Sequence, residues 1–524
     1  MAVAVLPAPD SRPEQAIATR MTTAFPMSFA QQRLCFLHRM DPSGAAHATV
    51  RCHRVAGPLD LRALREALDA LVARHEPLRT VFPLGTQQHV SPDGQAHVHV
   101  VDVATEAEAL RHAQAEAARP FDLEHGPLLR LTVLRLEPRT HFLVFALHLL
   151  TADGGSLQVF SEDLAVAYRA ALLGEPTGLS ELPVQYVDWA AWQREQLTAS
   201  RRESLSRWWR ERLSGVPSFL DLVSPRPALG QGRRAHRTLP AAITRSVHAL
   251  ASTERQTVFT VLSAACGLVL GPRARRERVL LGLAVANRDL PEVERVLGFF
   301  VNTVVLEVDL RGDPDLRELL TRVATSTAAA YAHKDLPFEQ LVEDLSPPRD
   351  PTRSPVVQVN FAYHPPHTAG ALSLHGCEVM ELLLDLPSAK FELTLRVEER
   401  SDGLCTVWAE FDESLFDLAF IEGLLESYEE VLRTLVPGAR ASSLRPPRTA
   451  TETHLARIFA DVLKVASVDP YDDFFRLGGH SLQLIEIAAR VRTEMGQDLG
   501  LRELYQHPTV AGAAGLLTRT GASR

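Results

Sequence analysis

Apolar positions along the chain follow two periods, and the switch between them marks out the elements. Phe142-Leu143-Val144-Phe145-Ala146-Leu147 is an unbroken apolar run and predicts a buried strand. It ends on a polar residue, His148, and an Asp153-Gly154 turn is expected after it. Ser156 then opens a helical period (Leu157, Phe160, Leu164, Tyr168) that Gly174 and Pro176 close. Leu61 to Ala73 also has the helical period, and Ser28 is placed to cap a helix running through Leu34. Alternating residues on either side of Asp93-Gly94 predict a hairpin. His97 and His99 lie two apart and share one strand face, with His89 before them. No Cys or carboxylate cluster accompanies the three, so they read as exposed hairpin residues rather than metal ligands, and no metal site is expected.

Between the periodic stretches lie segments without a period. Residues 1–24 are rich in Ala, Pro and Arg and read as a flexible leader. Pro217, Pro225 and Pro227 break the chain after an Arg-rich helix around Arg194 to Arg212. Residues 437–450 form a Pro/Arg/Ser linker, and a small four-helix pattern follows it. Helices and strands mixed over 524 residues indicate an α/β chain of two or three domains.

Charge and cysteine content narrow the function classes. The net charge is −9 and the pI about 6.1, without the basic footprint that general nucleic-acid binding requires. The 5 cysteines are scattered and lack CxxC spacing, which argues against a disulfide framework or a zinc site and for a reducing compartment. No signal peptide is recognisable at the N-terminus, and no run is apolar enough to span a membrane. A cytoplasmic protein with no membrane partner is therefore expected.

The polar corner His148 to Gly154 is where candidate chemistry sits. Alone it fits a core His and a turn Asp. Its surroundings carry more. His148-Leu149-Leu150-Thr151-Ala152-Asp153-Gly154 resembles the His-His-x-x-x-Asp-Gly signature of condensation domains in nonribosomal peptide synthetases. Ser28-Phe29-Ala30-Gln31-Gln32-Arg33-Leu34, Arg74-His75-Glu76-Pro77-Leu78-Arg79-Thr80-Val81-Phe82 and Tyr186-Val187-Asp188-Trp189-Ala190-Ala191-Trp192 resemble further motifs of that family. So do Asn287-Arg288 through Gly298-Phe299-Phe300-Val301-Asn302-Thr303, His333 through Glu339, and Arg349 through Pro355, all in the family's order. After the linker, Asp472-Asp473-Phe474-Phe475-Arg476-Leu477-Gly478-Gly479-His480-Ser481-Leu482 matches the peptidyl carrier signature.

The resemblance implies two lobes like chloramphenicol acetyltransferase in a V-shaped pseudo-dimer, followed by a four-helix carrier. The expected division is a condensation-domain N-terminal lobe at 25–195, a C-terminal lobe at 196–436, and a carrier at 451–520. The family's site residues fall on His148, Asp153 and Gly154, with Arg288 as the structural partner of Asp153 across the lobes. A buried ion pair of this kind is costly to break. One position departs from the pattern: the second His of the signature is Leu149, which has neither lone pair nor proton to offer. Adjacent strand residues face opposite sides, so His148 is no automatic substitute.

Ser481 follows two glycines and stands where a helix starts, which suits a hydroxyl that receives a phosphate. Gln483 sits where a hydrolase elbow requires Gly. The resemblance implies 4'-phosphopantetheine on Ser481, attached by a phosphopantetheinyl transferase. It also implies an upstream donor carrier and, with no adenylation or thioesterase domain recognised, an adenylation enzyme acting in trans. Two functions stay open. One is an acyltransferase that joins a donor thioester to a carrier-bound amine, forming an amide or an ester, at a rate lowered by Leu149. The other is a non-catalytic platform that presents the Ser481-bound substrate to tailoring enzymes, as certain degenerate condensation-like domains do. A coenzyme A-dependent acyltransferase has no need of a carrier.

Overall fold

A computed structural model describes residues 24–40, 47–83, 87–92, 94–223, 232–348, 350, 353–366, 372–384, 389–400, 402–435, 449–463, 468, 474, 481–497, 499, 504 and 509–521. The leader, Asp93, Pro225, Pro227 and most of the linker fall outside these residues. The chain divides into two units, residues 1–239 with 262–429 and residues 240–261 with 430–524.

The first unit holds two main sheets. The five-stranded sheet has the order Glu378–Leu382, Ala48–Ala56, Thr140–His148, Leu129–Glu137, Val98–Asp102. Val98–Asp102 pairs in parallel with its neighbour, and the other pairings are antiparallel. Thr140–His148 is the central strand, and its side chains are buried on both faces, which explains the unbroken apolar run. Leu143, Phe145 and Leu147 pack with Leu64, Leu68 and Leu71 of the Leu61–Arg74 helix and with Phe160 and Leu164 of the Gly154–Leu173 helix. On the opposite face, Phe142 and Val144 pack with Ala109 and Ala113, while Ala146 meets Leu34 and Cys35 of the Phe29–Met40 helix. The six-stranded sheet has the order Asn302–Asp309, Arg278–Val285, Val359–His364, Leu393–Glu399, Cys405–Asp412, Gly232–Leu239.

Local signals are seen where the pattern placed them. Ser28 Oγ accepts the Gln31 N–H at 3.1 Å and Gln31 Oε1 accepts the Ser28 N–H at 2.9 Å, closing a capping box. Gly174 ends its helix at φ 67°, in the left-handed region.

Two expectations are corrected. The hairpin around Asp93-Gly94 does not form. Gln87–Val90 pairs instead with Ala24–Pro26 and Thr80–Val81, while Val98–Asp102 joins the large sheet. Gly94 serves close packing, since a Cβ there meets Arg79 Cβ at 2.7 Å and Val72 at 2.9 Å. His97 and His99 are exposed, but not on a hairpin. Asp153-Gly154 is likewise the start of the helix rather than a turn ahead of it. Asp153 is the N-cap, accepting from the Ser156 N–H, and Ser156 sits inside the first turn.

In the second unit the helices Ala450–Leu463, Ser481–Met495 and Val510–Gly521 enclose a core of Leu455, Phe459, Phe474, Ile487, Val491 and Leu517. Phe459 and Phe474 meet edge to face. Among the described residues no single helix is long and apolar enough to cross a membrane.

Candidate functional site

The site is built where the central strand stops. His148 is buried, and its Nδ1 accepts the Leu150 N–H at 3.1 Å, which places its proton on Nε2. The ring is packed edge-on by Phe121 and His38, with His47 beside it, at centroid distances of 5.6, 6.2 and 6.4 Å. Burial, reinforced by the His47 and His38 imidazoles, pushes the His148 pKa down to about 3. His148 is thus a neutral core imidazole with its acceptor nitrogen already used. Leu149 next to it is only partly buried, against a cluster that includes Phe121, Leu150 and Phe299.

Asp153 is buried at the foot of the helix and touches donors from segments far apart in the chain. Its Oδ1 accepts from the Ser156 N–H at 2.8 Å and from Arg288 Nη2 at 3.1 Å. Its Oδ2 accepts the Phe300 N–H at 3.0 Å, and its own N–H donates to Gly298 O at 3.1 Å. Ser156 Oγ lies 2.8 Å from both Asp153 Oδ1 and Gly298 O, and accepts from Arg288 Nη2 at 2.7 Å. Arg288 Nη1 donates to Val293 O and Val296 O, and its guanidinium lies 4.1 Å from the Phe300 ring centroid. The carboxylate therefore fixes the helix start, the Arg288 side chain and the Gly298–Phe300 backbone together. Gly154 has nothing within 4 Å of the place a Cβ takes, so the space in front of this corner is open.

Sequence reasoning named Tyr186, Gly298, Arg74 and His75 only as motif members, without the contacts they make here. Gly298 packs so closely on Tyr186 that a Cβ comes within 2.0 Å of its ring. Tyr186 Oη donates to Phe299 O at 2.6 Å and lies 2.9 Å from Ser28 Oγ. A second bridge runs from Arg295 to Glu162 and Asp163. Asp163 also takes His75 Nε2 at 2.9 Å and Arg74 Nε at 3.1 Å. Burial opposes charge on Asp163, but its bonds to His75 and Arg295 outweigh it and hold the carboxyl below the ordinary range. Burial keeps the His75 pKa below its usual value despite the carboxylate. Repeated Arg and Asp in the sequence gave no sign of which would pair. Ser481 is the first residue of the Ser481–Met495 helix. Among the described residues no group of three or more His, Cys, Asp or Glu is placed to hold a metal ion.

This corner joins the end of the five-stranded sheet's central strand to the segment that precedes Asn302–Asp309 of the six-stranded sheet. Residues 21–443 match the condensation domain and residues 453–517 the phosphopantetheine attachment site; the chain belongs to the condensation-domain family, with an attachment domain behind it as in nonribosomal peptide synthetase modules. That attachment domain carries 4'-phosphopantetheine on a serine. The chain is 38% identical over 408 residues to malpinin synthetase of Mortierella alpina, covering 76% of this chain and 5% of that one. It is 34% identical over 453 residues to phosphinothricin tripeptide synthetase PhsC of Streptomyces viridochromogenes, covering 83% and 42%. The chain thus spans less than half the length of these curated relatives. In fold it is similar to the complex of the X-domain and OxyB from teicoplanin biosynthesis, with a TM-score of 0.73 and 24% identity over 81% of this chain and 95% of that one. It is also similar to the first condensation domain of the calcium-dependent antibiotic synthetase in complex with a substrate analogue, with a TM-score of 0.67 and 18% identity over 80% and 98%. These likenesses establish the chloramphenicol-acetyltransferase-like fold.

Proposed function

We propose that the chain is a condensation-carrier didomain that joins a donor acyl or peptidyl thioester to an amine carried on Ser481, forming an amide in natural-product assembly. Leu149 stands at the family's second signature His, and His148, Asp153 and Gly154 are the remaining members of that signature. The observation that carries this reading is the open corner. Leu149 is partly exposed and the space at Gly154 is empty, while Asp153 and Arg288 hold the strand end and helix start in one position. Asp153 and Arg288 are positioning residues: every oxygen of the carboxylate is engaged by the protein.

Ser481 suits its part because a phosphodiester on the first residue of a helix stands at the positive end of the helix dipole. The arm attached there supplies a mobile thiol that carries the acceptor. Its attachment requires a phosphopantetheinyl transferase. Donor acyl groups come from an upstream carrier, and the acceptor is activated by an adenylation enzyme acting in trans. Tethering both reactants in one cavity supplies the proximity that keeps the reaction feasible when a proton acceptor is missing.

The second reading is a non-catalytic platform presenting the Ser481-bound substrate to tailoring enzymes, and Leu149 is the observation in its favour. The fold accommodates such a use, since a structure it resembles is a complex of an X-domain with OxyB. Intact-protein mass spectrometry of the holo chain, loaded with an aminoacyl group and mixed with an acyl-loaded donor carrier, separates the two. Condensed product on wild-type protein supports the didomain. Product only from Leu149→His supports the platform.

A further inference from the structure

We propose, resting on the condensation reading, that His47 accepts the proton of the attacking amine in the place that Leu149 leaves vacant. The two strands that form the corner pair with Ala48 opposite His148. The pairing runs one residue further: the Leu149 N–H donates to His47 O at 2.8 Å. His47 is therefore the cross-strand neighbour of Leu149, at the spacing over which opposed side chains interact. Its ring is half-buried, with its centroid 6.4 Å from that of His148.

Three imidazoles gather at this strand end, and His47 is the one that the strand register sets opposite Leu149. His148 has its Nδ1 committed to the Leu150 N–H and is sealed in the core. His38 lies in the last turn of the Phe29–Met40 helix, outside the strand pair that forms the corner. His47 lies just before the Ala48–Ala56 strand, away from any helix terminus, and beside the residue whose family counterpart is a histidine.

The step balances without a further reactant. The amine nitrogen's lone pair attacks the thioester carbonyl carbon, the C–N bond forms and the C–S bond breaks. The nitrogen's proton passes to the His47 imidazole, and from there to the departing thiolate, so thioester and amine become amide and thiol. A base so placed contributes about 100- to 10,000-fold in rate.

The test uses the full-length holo chain with glycine on the Ser481 arm, the acetyl thioester of pantetheine as donor, and intact mass as the readout. Wild type, His38→Ala, His47→Ala, Leu149→His and His47→Ala/Leu149→His are compared. His47→Ala is expected to lower the acetylation rate at least about 100-fold, His38→Ala to leave it within about threefold, and the double variant to recover it. Equal rates for wild type and His47→Ala overturn the inference and leave the condensation reading standing. Product from Leu149→His with none from wild type overturns both. A second arm needs no turnover. The bromoacetamide of amino-pantetheine presents an electrophilic carbon near the donor carbonyl position, and an imidazole nitrogen displaces its bromide. A label mapped to His47, and lost in His47→Ala, is expected; a label on another residue, or none, overturns the inference. If no variant turns over the probe pair, that label decides.

Discussion

Removing the Asp153 carboxylate is the most informative perturbation of the corner. Asp153→Ala deletes a helix N-cap, which costs about 1 kcal/mol by itself. It also strips Arg288 of its counter-charge in a buried place and leaves the Phe300 N–H without its acceptor. Breaking a buried ion pair from one side costs about 3–5 kcal/mol. The losses share partners and do not simply add, so the total is expected near about 4–5 kcal/mol. All 5 tryptophans (Trp189, Trp192, Trp208, Trp209 and Trp408) precede the carrier, so fluorescence-detected urea unfolding reads the condensation part alone. Trp189 packs 4.7 Å from the Phe300 ring centroid and so reports on this junction directly. Arg288→Met in the Asp153→Ala background removes the stranded cation and is expected to restore at least about 1 kcal/mol. A loss under about 1 kcal/mol in Asp153→Ala, or strictly additive behaviour of the pair, refutes the claim that this contact holds the corner.

Further outcomes follow from the same geometry. Gly298→Ala drives a methyl into the Tyr186 ring and is expected to cost about 1–3 kcal/mol in the same unfolding assay. Gly154→Ala meets nothing within 4 Å, so its stability should hold or rise by up to about 1 kcal/mol, while acyl transfer measured by mass falls if substrate uses that space. His148 is held neutral in the fold, with its pKa pushed down to about 3, whereas the unfolded chain takes up the proton near the ordinary imidazole value. Its contribution to stability is thus complete above that ordinary value and is lost as pH falls toward 3, at about 1.4 kcal/mol per pH unit. His148→Phe should flatten the fall in unfolding free energy between pH 6.5 and 5 by that slope, as read from urea curves at each pH.

What was legible in the sequence was local. The Phe142–Leu147 run, the Ser28 cap and the Gly174 stop each depend on a few adjacent residues, and each lies where the pattern put it. What escaped was pairing between distant segments. Alternation around Asp93-Gly94 showed two strands but not that they belong to different sheets. Nothing in Asp163, Arg295 or His75 taken singly announced a three-way contact. Likewise, His47 is an unremarkable position in the chain until the register sets it across from Leu149.

The Glu378–Leu382 strand has a practical meaning for recombining such chains. It arises deep in the later half of the sequence yet forms the outer strand of the earlier half's sheet, with Met380 opposite Arg54 and Glu381 ion-paired to Arg51. A cut near residue 195 therefore does not yield two independent pieces. A front half grafted onto a foreign back half receives a stranger as its outermost strand, and without any back half it displays the bare backbone of Ala48–Ala56 as a sticky edge. Successful hybrids should be those whose donor strand keeps an acidic residue opposite His53, so that the seam between parents is sewn by the same stitch.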